Sequence, residues 1–420
     1  MAIASAEQLF AQIPVQSFID EYLERQVLHL ELNQPERADG LFGLEEMAEC
    51  IRYQQPWHAG HVRVVPHGGG AEETPLLPLL AEEEGRVESF LLAGFAQKKT
   101  LVFNCAERYW RPVDRLVSSI QEALECRAIC NIYCTPTASQ GFDTHTDAHD
   151  VLVLQTHGSK VWRIHDVDDP LPIEHSPMLK RVLPNLASAR PDYGEAVREV
   201  TLRPGDLLYL PRGVPHSAAS TDEASVHLTI GLHPERLHQF VGKLIDLLAF
   251  EDEGLRRRVP IDAMRGETGF PDLPSLLRDL ADRAEQSGGA KLPEQLLEIL
   301  AEDHRPRGGH QGAVYSAAFA DRIGPESVVE QTPGTTLTWR RTATELVVRC
   351  GGTMSLPLKV EPLIEFIAER RSFRVDELPD QFSTDGKVVL VRNLVQNSVL
   401  RLVTIEAPST VPLREAPASA

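Results

Sequence analysis

Between Gly141 and Asp150 the chain reads GFDTHTDAHD, with two histidines and three aspartates in ten residues just ahead of the apolar run VLVLQ. Imidazole nitrogen and carboxylate oxygen are the donors of the two-histidine, one-carboxylate face that holds Fe(II) and leaves coordination positions open. Side chains two apart on an extended strand project to the same side, so His145 and Asp147 are expected to point together.

Such a face needs a third ligand. His216 follows His145 by 71 residues, inside GDLLYLPRGVPHSAAS, residues 205–220. Gly205-Asp206 predicts a turn, LLYLP a strand, and Pro211 and Gly213 a bend that delivers His216 to the start of the next strand. Alone, HxD reads equally well as a polar turn, and His216 as a structural histidine. The two stretches together favour a metal site. His149 shares the face of His145 only if the strand runs straight through, and is expected on the rim or behind the ligands. His227 reads as a core histidine and Trp162 as barrel packing. The spacing-four cysteines of CRAICNIYC fit no ligand pattern and read as reduced thiols.

The elements that must position these residues are legible as a change of pattern. From about 127 to 233 the runs CNIYC, DVLVLQT, KVWRIH, DLLYLP and SVHLTIGLH predict an all-β sandwich or barrel. THGS, between VLVLQ and KVWRI, predicts a hairpin turn. Upstream, residues 14–33 read as a helix and a short strand, and 44–52 and 114–126 as helices, the last with Leu116, Ile120 and Leu124 on one face. Residues 235–303 are helical again. Their stripe of Phe240, Leu244, Leu247 and Leu248 suits a core or a dimer face. HRPRGGHQG, from His304, reads as a linker. Beyond it LTWRRTATELVVRC alternates like a hairpin, EPLIEFIAERRSF reads as a helix, and KVVLVRNLVQNSVLRLV mixes both signals. The last residues, APSTVPLREAPASA, read as a frayed tail.

A chain of 420 residues exceeds one ordinary core, so two or three domains are expected. The net charge of −19 disfavours nucleic acid and suits basic partners. The first residues lack a basic segment and a long apolar core, and no run of about 18 apolar residues suggests a membrane span. A cytoplasmic location is expected.

The run NIYCTPTASQGFDTHTDAHDVLVLQTHGSKVWRIH resembles the core of the JmjC-type cupins, in particular the bacterial cupin-4 group that includes the ribosomal oxygenases. The second stretch is similar to the second cupin motif, with Ser220 where many cupins have Asn. In the first motif Asp147 takes the second position of the His pair and the downstream Glu is absent, as in the oxygenase branch. The resemblance covers most of the chain. It implies an α+β fold: a double-stranded β-helix with N-terminal helices over 1–234, a helical dimerisation module over 235–303 and a winged-helix-like domain over 312–406. The stretch from His165 to Val200 looks longer than usual, which implies a different substrate-facing rim.

The same resemblance implies Fe(II), 2-oxoglutarate and dioxygen, with His145, Asp147 and His216 holding the iron. Lys160 falls where the family places a cation for the C5 carboxylate of 2-oxoglutarate, which a buried carboxylate requires. Asn131, 14 residues before His145, and Tyr133 are further candidates for contact with the cosubstrate. The implied reaction is hydroxylation of a protein side chain, with basic ribosomal proteins the leading substrates and a homodimer the expected assembly. Two alternatives stay open on sequence: a tailoring oxygenase of a small molecule or biosynthetic peptide, and a non-catalytic cupin-like scaffold.

Overall fold

The computed structural model describes residues 3–56, 60–66, 74–75, 84–167, 171–173, 193–269, 271–286, 319–332, 337–341, 344–349, 353–397 and 399–404, with Pro293, Leu296, Leu297 and Leu300. The chain divides into two compact units, 1–304 and 305–420.

The first unit is built on β1 (Leu28–Leu30), β2 (Val62–Val65), β3 (Thr74–Pro75), β4 (Thr100–Phe103), β5 (Arg127–Thr135), β6 (Asp150–His157), β7 (Lys160–Ile164), β8 (Arg198–Leu202), β9 (Leu207–Leu210), β10 (His216–Ser220) and β11 (Ser225–His233). Eight of them form one antiparallel sheet in the order β1-β9-β6-β11-β5-β4-β2-β3, and three form a second in the order β10-β7-β8. From β5 onward the chain passes repeatedly between the two sheets, which is the double-stranded β-helix of a cupin.

Strand alternation sorts the core. On β6, Val151 and Val153 face the second sheet and pack with Trp162, Ile164, Leu208 and Leu210. Leu152 and Leu154 face the other way, into a cluster with Phe10, Phe18, Leu116 and Ile120. Both faces are covered, so β6 is apolar almost throughout rather than alternating. The covering helix Arg111–Leu124 carries Pro at its start, buries Val113, Leu116, Val117 and Ile120, and ends on Glu125 in the left-handed region. The short helices Ala6–Phe10 and Val15–Glu21 complete this layer.

Two expectations are corrected, and some elements were not anticipated. THGS does not close a hairpin: β6 pairs with β9 and β11, β7 with β8 and β10, and the turn carries the chain from one sheet to the other. At its centre Gly158 has φ +58°, and a Cβ there would lie 1.9 Å from the Ala224 carbonyl oxygen, so only glycine fits. His145 and Asp147 lie before β6, not on a strand, with His145 held by an isolated bridge. The helix Glu84–Ala96 and the strands β2, β4 and β8 escaped the sequence reading.

After β11 come the helices Leu237–Glu251, Ile261–Met264 and Leu273–Gln286. Arg283 Nη1 donates to Asp252 Oδ2 at 2.7 Å across this segment. In the second unit, Val328–Gln331 lies between Ser372–Arg374 and Leu400–Thr404 in an antiparallel sheet. Thr338–Arg341, Glu345–Arg349 and Thr353–Pro357 form a second, meandering sheet. Helices Glu361–Ala368 and Thr384–Gln396 share its core through Ile364, Val391 and Leu394. The helical reading of KVVLVRNLVQ and the strand reading of LRLV therefore both hold, one after the other. The linker from His304, the last residues from 407, and most of the stretches 168–192 and 291–304 fall outside the described residues.

Candidate metal and cosubstrate site

Three backbone hydrogen bonds deliver the three expected ligands to one another. His145 N–H donates to the His216 carbonyl at 3.1 Å, His216 N–H returns a bond to the His145 carbonyl at 2.9 Å, and Gly213 N–H donates to the Asp147 carbonyl at 3.0 Å. The bend that makes this possible places Gly213 at φ +84°, and Val214 N–H closes it on the Pro211 carbonyl at 3.2 Å. The turn before β9 is fixed by the fully buried Asp206, which accepts from Arg203 N–H and Leu32 N–H, both at 2.9 Å.

The ligand atoms of His145, Asp147 and His216 all lie within 4.8 Å of one another. His216 Nε2 stands 3.6 Å from Asp147 Oδ2. His145 Nδ1 meets the Asp143 carbonyl at 2.8 Å and His216 Nδ1 meets the Val214 carbonyl at 2.9 Å. A carbonyl only accepts, so each Nδ1 carries the proton and each Nε2 presents its lone pair to the centre. Burial, and then the neighbouring His145, pushes the His216 pKa down to about 4, which keeps its ring neutral and ready to ligate. Two neutral imidazoles and one carboxylate on one side suit a divalent iron with positions left open.

Beside the triad lies a cavity of about 60 Å³. Six ring side chains close a collar around it. Going round, His145 contacts His216 (centroids 4.6 Å apart), His216 contacts Trp162 (5.8 Å), and Trp162 contacts His227 (5.5 Å). His227 stacks on Tyr133 (5.0 Å), Tyr133 meets Phe142 edge-on (5.9 Å), and Phe142 returns to His145 (5.9 Å). Lys160 lines the same cavity. It is only 4% exposed, and its Nζ donates to Thr135 Oγ1 at 3.0 Å. Burial without a facing carboxylate pulls its pKa down to about 7, and the Cys134 thiol behind it opposes this only slightly.

Tyr133 therefore sits at the cavity, its hydroxyl pushed up to about 12 chiefly by burial. Asn131 is not among the lining residues; its Oδ1 accepts the Cys105 N–H at 3.1 Å. His149 stacks on His233, 4.7 Å between centroids, and lies outside the triad. Asp150 accepts from the Tyr209 hydroxyl at 2.8 Å and pairs with Arg212 at 3.3 Å, a structural role. Ser220 Oγ donates to the Pro136 carbonyl and serves the turn. Cys126, Cys130 and Cys134 are buried free thiols. Sequence reasoning missed Thr135 and Phe142 and left His227 to the core. The usable signal was register: His227 lies opposite Tyr133 on β5, in step with the cavity face.

Residues 102–240 match the family model described as the JmjC domain. This stretch is similar to a JmjC domain. Among curated relatives, the chain is 30% identical over 310 residues to ribosomal oxygenase 2 of Mus musculus, a match covering 66% of this chain and 60% of that protein. It is 30% identical over 231 residues to ribosomal oxygenase 1 of Rattus norvegicus, covering 54% and 36%. The match to the bifunctional lysine-specific demethylase and histidyl-hydroxylase NO66 of Aedes aegypti is 28% over 257 residues, covering 59% and 38%. The chain thus spans about a third to three-fifths of the length of these relatives. In fold it is similar to YcfD, a ribosomal oxygenase from Escherichia coli solved with cobalt and 2-oxoglutarate, with a TM-score of 0.53 and 16% identity over 93% of this chain and 98% of that one. The JmjC-type cupin barrel expected from the sequence is the fold observed. Among the described residues no helix is long and apolar enough to cross a membrane.

Proposed function

We propose that this chain is an Fe(II)- and 2-oxoglutarate-dependent oxygenase that hydroxylates a protein side chain, in the manner of the ribosomal oxygenases it is similar to. The observation that carries the reading is the convergence of two Nε2 lone pairs and one carboxylate within 4.8 Å beside a cavity that holds a buried lysine. His145, Asp147 and His216 would hold the iron. When bound, iron and 2-oxoglutarate supply oxidative decarboxylation of the keto acid, with dioxygen, and insertion of one oxygen atom into a C–H bond.

The chain's own residues orient and enclose. The Asp143 and Val214 carbonyls fix the two imidazoles. Lys160 supplies the cation for the C5 carboxylate, as a point charge steadied by Thr135. Tyr133 and Phe142 form the apolar wall that keeps water from the reacting centre. Asn131 stands behind the cavity, two residues before Tyr133 on β5, with its Oδ1 held by the Cys105 N–H.

The same proposal takes 1–234 as the catalytic domain, 235–303 as a dimerisation module and 312–406 as a winged-helix-like domain. Leu237 and Phe250, 79% and 80% exposed, support a covered helix face in a homodimer. A basic ribosomal protein is the substrate class that the charge of −19 favours. The free cysteines among the described residues support a reducing cytoplasm. The test is succinate production coupled to oxygen uptake with ribosomal proteins as substrates. A gain of about 16 Da on one peptide, one oxygen atom, is expected. Iron-dependent turnover that never marks a protein would sink the substrate class, and no turnover of 2-oxoglutarate would sink the oxygenase.

A further inference from the structure

The carboxylate of the triad stands on backbone that no sheet holds. Asp147 and Ala148 precede β6, which begins at Asp150, so their peptide groups lie outside its ladder. The Asp147 carbonyl is taken by the Gly213 N–H, from the bend that delivers His216. The Ala148 carbonyl is taken from much further along the chain. Arg236, 88 residues on, donates to it through Nη2. The other arm of the same guanidinium reaches the Pro172 carbonyl, with Nη1 at 3.5 Å. Two consecutive carbonyls at the ligand are therefore pinned by different elements.

Arg236 is itself held by the helix it opens. It is the N-cap residue of Leu237–Glu251. Its N–H donates to Gln239 Oε1 at 3.1 Å, and its carbonyl accepts the Phe240 N–H at 2.9 Å. Next to it, Glu235 Oε2 accepts from Lys243 Nζ at 2.7 Å, two turns into the helix. The side chain thus leaves from a fixed point, and its planar fork suits two acceptors at once. Arg212 holds the same stretch one step later, through its N–H and guanidinium on Asp150. Both arginines line a cavity of about 310 Å³. That space leaves the Arg236 guanidinium room for other conformations, so close packing does not impose its seat on Ala148.

We infer that Arg236 is a positioning residue for the metal carboxylate: from the cap of the helix it pins the Ala148 carbonyl, and so sets where the Asp147 carboxylate stands relative to the two imidazoles. This rests on the oxygenase reading above, through the ligands assigned there. A ligand on a loose segment must be ordered when metal binds, and that ordering lowers the affinity. A segment pinned beforehand has less freedom to lose.

The experiment is equilibrium dialysis of the metal-free full-length protein against Co(II). Visible absorption of the Co(II) form at saturation and urea unfolding of the metal-free form accompany it. Arg236→Met keeps the stem and removes the donors. It is expected to weaken Co(II) about tenfold, as loss of a group supporting a ligand does. It is also expected to shift the visible bands of the bound ion, and to leave the urea midpoint near that of the wild type. Arg236→Lys returns one donor and is expected to recover most of the affinity. Lys243→Met disturbs the same helix start without touching Ala148, and its Co(II) affinity is expected to stay within about twofold of wild type. Unchanged Co(II) affinity in Arg236→Met overturns the inference, whatever the urea midpoint does, because the guanidinium then only supports the fold. An equal loss in Lys243→Met overturns it too, since the helix start as a whole would then be responsible. Should Arg236→Met fail to fold, Arg236→Gln, whose shorter side chain withdraws the donors, decides it by the same comparison. Failure of the wild-type protein to bind Co(II) at all would instead overturn the oxygenase reading, and this inference with it.

Discussion

Lys160 Nζ and Thr135 Oγ1 are 3.0 Å apart on facing strands, and this hydroxyl is the hydrogen-bond partner of a lysine that is almost wholly buried. An ammonium in that position lacks a counter-ion. Its pKa therefore falls from 10.5 to about 7. A dicarboxylate that binds there supplies the missing charge and draws a proton onto the lysine. The apo protein holds Lys160 neutral above pH 7, so 2-oxoglutarate affinity is expected to be flat below about pH 7. Above it the affinity should fall by up to tenfold per pH unit. Stability of the apo protein runs the opposite way. Between about 7 and 10.5 the unfolded chain holds this proton and the folded chain does not, so the Lys160 contribution rises with pH. Lys160→Met is expected to abolish the slope in affinity and to raise the apo melting temperature. A slope that survives the substitution would assign the proton elsewhere.

The triad makes a sharper prediction about metal. His216→Ala leaves two donors and is expected to weaken Fe(II) or Co(II) by more than about hundredfold, the upper end of what loss of a supporting partner alone costs. His149→Ala removes a ring stacked on His233, outside the three converging ligand atoms, and is expected to change metal affinity by less than about threefold. Equilibrium dialysis with Co(II) measures both. Similar losses for the two variants would show that His149 belongs to the ligand set.

The three converging side chains were legible because metal chemistry restricts residue type and because the Gly-Asp turn, the strand and the Pro-Gly bend all announce themselves locally. The premise that put His145 and Asp147 on a strand was nonetheless wrong. Their common direction comes from the His145–His216 bridge and the Gly213–Asp147 bond, both contacts across about 70 residues of sequence. The collar was illegible for the same reason. Nothing in SVHLTIGLH marks His227 as different from a core histidine until β11 is set against Tyr133 on β5, which puts both rings at the cavity. THGS was misread because a turn signal reports that the chain reverses, not which sheet the next strand joins.

The helix Leu237–Glu251 presents Leu237, Val241 and Ile245 at four-residue spacing, all exposed, with Phe250 at its end. An apolar stripe of that kind on a well-formed helix is normally covered. Sedimentation equilibrium is expected to give twice the 46.6 kDa chain mass. The double variant Leu237→Glu, Ile245→Glu is expected to give the monomer without loss of metal binding. A wild-type chain that sediments as a monomer at about 10 µM, a concentration at which standard-sized stable interfaces hold, would remove the dimerisation module.

The three aspartates of GFDTHTDAHD have three different jobs, and substitution should separate them. Asp143 is exposed and contributes its backbone carbonyl to His145, so Asp143→Ala is expected to stay within about 0.5 kcal/mol of wild-type stability. Asp147→Ala removes the carboxylate of the converging triad from a partly exposed position and should cost metal affinity far more than stability. Asp150 is fully buried, accepts the Tyr209 hydroxyl and the Arg212 N–H, and balances the Arg212 guanidinium together with Glu24. Its removal leaves a buried cation half-compensated, and Asp150→Ala is expected to cost about 3 kcal/mol or more in urea unfolding. Arg212 immediately precedes Gly213, whose N–H holds the Asp147 carbonyl, so Asp150→Ala should also lower metal affinity, but less than His216→Ala. If Asp150→Ala leaves stability intact and abolishes metal binding, the carboxylate of the site is Asp150, and the pairing seen with Arg212 is incidental.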